Sequence, residues 1–260
     1  MRLARLFTGS QSYSLDQQTA VVLPFPPEAV QLLLDCIVAN AIDPESGRAK
    51  NKTGEALLEL TRQIVTSNQS FANTQERVLL TLRDSTNCKR FPFSSQSKQS
   101  VTLVRLAVGD PNSRQGSGKY IVRQFISGAA EVVLANSVAY LTERGTIESL
   151  SQEARFRYEE AMTNYNLQGL RTICCGYVDF DATSAEMPHK PLERGFCLLG
   201  VVGVEESIRP EVPGAVEACM RAGIRVMMIT GDAPLTAVNI AQRCGLLRTD
   251  RSSDDAVVRF

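Results

Sequence analysis

The segment Ile224-Arg-Val-Met-Met-Ile-Thr230-Gly-Asp232-Ala-Pro-Leu-Thr236 passes from an apolar block through a Thr-Gly-Asp turn toward a helix, bringing a hydroxyl, a flexible backbone and a carboxylate to one place. At the carboxyl end of a strand, the Thr230 hydroxyl and the amides of a following helix can face a phosphoryl group. Gly231 permits close backbone approach, and Asp232 either caps the helix or bonds a ribose hydroxyl. The bland alternative is a tight turn with an acidic cap and no ligand, and a short motif alone does not exceed it. Val226–Ile229 is expected to form a parallel strand covered on both faces. Ala237, Ile240, Ala241 and Cys244 then recur at helical spacing.

Such a turn needs a core to hold it, and 260 residues with 43% hydrophobic content fill two compact units. Basic and acidic residues balance at 28 each, so no global field points to nucleic acid or an anionic membrane surface. Any anion site must be local. The seven cysteines are odd in number and lack Cys-x-x-Cys spacing, which reads as reduced, buried thiols in a cytosolic setting. No apolar stretch approaches the roughly 20 residues of a membrane helix, so the chain as given is expected to be soluble and monomeric. His189 falls in a linker with Pro188 and Pro191 and has no partner pattern for metal binding or catalysis.

Along the chain, Met1–Tyr13 reads as a short strand and a polar turn, and Pro26-Pro27-Glu28 opens a helix with an apolar stripe at Val30, Leu33, Leu34, Ile37, Val38 and Ala41. A second helix is predicted from Gly54 to about Val65. A third starts after Asn73, with Glu76 completing a capping box. Strands are predicted at Arg90–Phe93, Val101–Val108 and Tyr120–Ile126, the last two joined by a Gly/Ser-rich hairpin loop at 109–118. Gly118-Lys119 lacks the spacing and hydroxyl of a phosphate loop. Helices follow at Ala130–Ala135 and Ser149–Leu167, the latter with Ser149 and Gln152 as a capping box, and then a strand at Leu170–Val178. From Phe196 onward a β-α-β-α order implies a parallel sheet with right-handed crossovers.

Several of these segments together resemble the cytoplasmic headpiece of P-type cation-transporting ATPases, most closely the plasma-membrane-type calcium pumps. Gly200-Val-Val-Gly-Val-Glu-Glu-Ser-Ile-Arg209-Pro-Glu-Val and Ala222-Gly-Ile-Arg-Val-Met-Met-Ile-Thr230-Gly-Asp232 are similar to that family's Gly-Val-Glu-Asp-Pro-x-Arg-Pro-Glu-Val and Thr-Gly-Asp segments. Gly169-Leu-Arg171-Thr-Ile-Cys resembles the segment of an ATP-contacting arginine. Arg90-Phe-Pro-Phe93-Ser with Lys98 resembles the adenine-stacking segment, and Asn51-Lys-Thr53 with Ala56-Leu-Leu58 the segment around an adenine-side glutamate.

The resemblance implies an α/β chain in which a twisted antiparallel sheet flanked by helices is inserted into a parallel, dehalogenase-like phosphorylation domain. Residues 1–8 would be an edge of the phosphorylation domain, 9–194 the nucleotide-binding insert, and 195–260 the rest of the split domain. It implies ATP as ligand, with Phe93 under adenine, Arg171 on β-phosphate oxygens and Lys98 as a second cation. Gly128 and Ala129 would let the backbone approach the nucleotide, and Arg209 would fix the hinge or the closed state. Thr230 and Asp232 would serve the phosphoryl and ribose end. The plain alternatives are a core aromatic at Phe93 and solvated surface charges at Arg171 and Lys98.

The sequence departs from the family pattern at Ser127, where Lys-Gly-Ala has lysine, and at Gly54, where the adenine-side glutamate stands, with Glu55 next to it as a substitute. Glu206 and Ser207 replace Asp-Pro, and Ala233 replaces asparagine. No Asp-Lys-Thr-Gly-Thr segment, which carries the phosphorylated aspartate, and no Gly-Asp-Gly-x-Asn-Asp segment, which holds Mg²⁺, occurs in the sequence. The implied role is therefore an ATP-binding headpiece fragment that turns nothing over by itself. It would work at the cytoplasmic face of a membrane with the remainder of its own polypeptide, without nucleic acid and without a protein-held metal. A non-catalytic nucleotide sensor and a capped dehalogenase-type phosphatase remain as alternatives.

Overall fold

A computed structural model describes residues 2–15, 22–67, 69–107, 120–181, 187–205, 208–232 and 234–247, and builds them around one nine-stranded sheet. The strands are β1 (Arg2–Thr8), β2 (Gln11–Ser14), β3 (Cys88–Phe91), β4 (Gln99–Ala107), β5 (Tyr120–Ala129), β6 (Ser137–Leu141), β7 (Ile147–Ser149), β8 (Leu170–Asp181) and β9 (Phe196–Glu205). The main path runs β2-β1-β9-β8-β5-β4-β3, antiparallel throughout, while β6 pairs parallel to the first part of β9 and carries β7 on its outer edge.

Helices cover both faces. On one side lie α1 (Pro27–Ala41), α2 (Lys52–Ser67) and α3 (Thr74–Arg83); on the other, α4 (Ala130–Ala135) and α5 (Gln152–Leu167). The strands sort their side chains by the two-residue period of the pleat. In β8, Ile173, Cys175 and Tyr177 pack toward α1 and Leu170 and Cys174 toward α5. Tyr158 of α5 is fully buried and meets Phe7 edge-on, ring centroids 5.0 Å apart. Burial of each large side chain of this kind contributes about 1.5–3 kcal/mol.

The apolar stripe of α1 matches the spacing read from the sequence, and Pro27 occupies its first turn, where a missing N–H costs nothing. Asn73 sits at the N-cap of α3 but makes no side-chain cap bond. The cap of α5 is Ser151, whose Oγ accepts from the Ala154 N–H at 3.2 Å; Ser149, the predicted cap, ends β7 instead. The loop at 109–118 and the departures at Glu206, Ser207 and Ala233 lie outside the described residues.

Two features of the last third differ from expectation. β9 is buried from Phe196 to Val204, as its unbroken apolar run predicts, yet it runs antiparallel to β1 and β8 and parallel only to β6. Helices on both faces of an antiparallel sheet impose the same all-apolar composition as a parallel one. Val226–Ile229 is not a strand. Met227 is 75% and Ile229 94% exposed, and no neighbouring strand among the described residues offers them a sheet to join. The segment follows α6 (Val212–Arg221) and leads to α7 (Pro234–Arg243).

Candidate functional site

A cleft of about 540 Å³ opens where α1 and α2 end and begin, beside the turn before β4, the end of β5, the start of β8 and the turn before α7. Phe93, Lys98, Gly128, Ala129, Arg171, Thr230 and Asp232 all line it, together with Lys50, Gly54, Ser127, Asn166, Thr172 and Thr236. That volume suits a ligand of nucleotide or drug size. Glu55 and Arg209 are exposed and do not line the cleft.

Phe93 follows β3 at Pro92, which ends ladder pairing. Its side chain is 60% exposed, so the ring offers a free apolar face and is not a core aromatic. The chain then turns through Ser94 and Ser97, whose hydroxyls lie 2.7 Å apart, and Lys98 closes the turn with a φ of 51°, its N–H donating to Ser94 O at 2.8 Å. Lys98 Nζ stands 3.8 Å from a Glu131 carboxylate oxygen, with both side chains more than half exposed.

Gly128 faces this turn. A Cβ there would stand 2.5 Å from Lys98 O and 2.8 Å from Gln99 Cα, so glycine is demanded by backbone of the same protein. Its neighbour Ala129 donates N–H to Lys98 O at 2.9 Å, fixing the mouth of the cleft. Gly54 is constrained in a similar way, since a Cβ would come within 2.8 Å of Ala41 O at the end of α1. The Gly54 N–H is taken by Asn51 Oδ1 at 2.8 Å, which starts α2.

Arg171 and Asp232 form the polar end. Arg171 Nη2 reaches Asp232 Oδ1 at 2.7 Å, with the carboxylate side chain only 11% exposed. The Asp232 N–H donates to Thr230 Oγ1 at 3.1 Å, so hydroxyl and carboxylate belong to one tight turn. That turn is held by α7: Thr236 Oγ1, buried, donates to Leu170 O at 3.1 Å, and Asn239 Nδ2 donates to Leu167 O at 3.2 Å. Arg243 and Glu205 add an ion pair at 3.5 Å. Gly169, with a φ of +75°, lets Asn239 approach, because a Cβ would lie 2.2 Å from its Oδ1.

Lys50 is the cleft residue that sequence reasoning missed. A lysine in a polar loop reads as solvated, and only its place directly before Asn51-Lys-Thr53 gave a signal. Its ammonium donates to Asn40 O at 2.8 Å. Lys50 is exposed as a whole residue, but partial loss of hydration about its ammonium lowers its pKa to about 8, with the Arg90 guanidinium adding to the shift and Asp43 opposing it. No group of three or more His, Cys, Asp or Glu side chains suited to a metal ion occurs among the described residues.

The family described as P-type ATPase, cytoplasmic domain N, matches residues 28–211. Calcium-transporting ATPase PAT1 of Dictyostelium discoideum is 41% identical over 157 residues, 60% of this chain and 13% of that protein. The plasma-membrane-type calcium-transporting ATPase 3 of Oryza sativa is 30% identical over 233 residues, covering 87% of this chain and 20% of the relative. The plasma-membrane-type calcium-transporting ATPase 2 of Arabidopsis thaliana is 33% identical over 159 residues, 61% of this chain and 15% of its own length. The chain thus spans about a fifth or less of each of these relatives.

Proposed function

The chain belongs to the family of P-type ATPase cytoplasmic N domains, and on that premise we propose that its cleft binds ATP and holds it for phosphoryl transfer to an aspartate elsewhere in the polypeptide. The observation that carries this reading is the convergence of Phe93, Lys98, Gly128, Arg171, Thr230 and Asp232, from widely separated stretches of sequence, on one cleft. The relatives' names support calcium as the transported ion of a full-length membrane pump, with this domain on the cytoplasmic side.

Each side chain has a chemical task in that reading. The open face of Phe93 stacks on adenine, an interaction worth about 1–3 kcal/mol per base. Arg171 forks onto phosphate oxygens and Lys98 adds a mobile positive charge. Thr230 and Asp232 form the phosphoryl-side wall. Arg171 is already paired with Asp232, so the incoming phosphates share or displace that carboxylate. Mg²⁺ would be held by the phosphates together with the family's Gly-Asp-Gly-x-Asn-Asp segment, which this sequence does not contain.

The domain division follows the sheet in this proposal. The strands at 2–8 and 196–205, expected from the sequence to sit in the phosphorylation domain, share their ladders with the rest of the nucleotide-binding unit. The segment from 208 onward, with α6 and α7, then belongs to the partial dehalogenase-like domain.

Calorimetric titration with ATP, joined to amide chemical shifts, tests the reading. Saturable binding that perturbs amides near Phe93 and Arg171, and that Phe93→Ala and Arg171→Ala weaken, supports it. No saturable binding would leave the second reading, a module that keeps the fold without taking nucleotide. The Arg171–Asp232 pair favours that second reading, because the phosphate-facing cation is already neutralised.

A further inference from the structure

The sequence leaves the cleft one cation short, because Ser127 stands where the family pattern carries lysine, yet the structure brings a lysine to the same cleft from another element. Lys50 lies in the loop between α1 and α2, and its ammonium is joined to the surroundings of Ser127 by a short polar relay. Lys50 Nζ donates to Asn40 O at 2.8 Å. The side chain of Asn40 in turn accepts at Oδ1 from Thr102 Oγ1 at 3.2 Å and from Ser100 Oγ at 3.4 Å, and its Nδ2 donates to Cys36 O at 3.1 Å. Ser100 Oγ also lies 3.2 Å from the carbonyl of Ser127, and the two residues are directly opposite each other on β4 and β5. Thr102 and Ser127 are buried, so the relay is held in place.

We propose that Lys50 replaces the cation absent at Ser127 and donates a hydrogen bond to a ring-nitrogen acceptor on the purine of the bound nucleotide. This rests on the nucleotide reading of the cleft. On the nucleotide reading, three observations favour the base end over the phosphate end for Lys50. Asn51, its neighbour, holds the N–H of Gly54, the position that the family resemblance puts on the adenine side. Phe93 lines the same cleft as the stacking face, and the phosphate-side cation Arg171 is engaged with Asp232. An ammonium has three N–H donors, and Asn40 O takes one. Two are left for a ligand. The carbonyl it binds belongs to the last turn of α1, where the partial negative charge of a helix C-terminus favours a cation.

A neutral purine acceptor selects the protonated lysine, so the lowered pKa gives the site a pH dependence of known sign. The titratable and charged groups that bear on Lys50 are Asp43 from its own loop and Arg90 and Cys88 from β3. Cys88 is pushed up to about 11 by burial and stays a neutral thiol between pH 7 and 9. Lys50 is the member of this group that changes charge in that window.

The test is calorimetric titration of the full 260-residue chain with ATP and, separately, with inorganic tripolyphosphate, which has no base. Lys50→Met is expected to weaken ATP about 10- to 100-fold, the loss of one charge-assisted hydrogen bond, and to change tripolyphosphate by less than about 2-fold. Adding Ser127→Lys to Lys50→Met is expected to return most of the lost affinity. ATP affinity of the unmodified chain should fall between pH 7 and 9, and that of Lys50→Arg should stay flat. Equal ATP affinity in Lys50→Met, or an equal loss for tripolyphosphate, would overturn the proposal while leaving the nucleotide reading intact. Absence of ATP binding to the unmodified chain would overturn both.

Discussion

Arg171 at the start of β8 and Asp232 in the turn before α7 meet at 2.7 Å across the polar end of the cleft. The two side chains that a triphosphate would encounter there are thus each other's partner. Removing the carboxylate charge with Asp232→Asn should raise affinity for tripolyphosphate by about 2- to 5-fold, since part-exposed ion pairs are worth about 0.2–1 kcal/mol. The gain should shrink as salt is added. Titration at two ionic strengths reads it, and an affinity unchanged by Asp232→Asn at low salt counts against competition.

Phe93 carries its ring in the open, 60% exposed, so its removal separates binding from folding. Phe93→Ala should weaken ATP by about 1–3 kcal/mol. Its thermal midpoint should stay within a degree or two of the unmodified chain. A large drop in that midpoint would reveal a packing role instead.

Gly54 stands where the family resemblance implies an adenine-side glutamate, and the structure explains why such a residue cannot simply be restored. Any Cβ would crowd the backbone oxygen of Ala41, which has no flexible end to move aside. Gly54→Glu is expected to cost about 1–3 kcal/mol in urea unfolding and to bring no gain in ATP affinity. Retained stability with tighter binding would show that α1 and α2 can separate.

Tyr158 is buried between Phe7 and Tyr140, and its hydroxyl has no hydrogen-bond partner among the described residues. Burial pushes its ionisation far up, so it stays a neutral phenol. Tyr158→Phe keeps both edge-to-face contacts and removes an unsatisfied polar group. It should be neutral or stabilising by up to about 1–2 kcal/mol, read from the urea midpoint at constant slope. A clear destabilisation would mean that the hydroxyl is satisfied by water.

Much of the layered fold was legible because periodicity reports burial directly. The stripe of α1 and the all-apolar β9 both name the faces they cover. What periodicity does not report is strand direction, and β9 was therefore expected to be parallel where it pairs antiparallel with β1 and β8. The hairpin formed by β6 and β7 escaped notice because Ile147–Ser149 is exposed throughout and has no apolar alternation. Val226–Ile229 failed for the opposite reason: the residues suit a strand, but a strand also needs neighbours. Phe93, Lys98 and Arg171 were reached through the family segments they resemble, and the structure brings them to one cleft. Lys50 could not be reached in that way, because what sets it apart is the polar relay through Asn40 to Ser100 on β4, which the fold and not the local sequence brings together.

Arg2 of β1 stands directly opposite Glu205 of β9, so the sheet is entered and left at adjacent points. The segment that follows β9 is tied back to the same body at further points, Thr236 to Leu170, Asn239 to Leu167 and Arg243 to Glu205, so it is fastened along a line rather than at one end. The pairing of Arg2 with Glu205 brings the two strand ends within about 5 Å of one another, the spacing of paired strands. A short peptide bridging that gap would join the two strand ends without disturbing the ladder between them.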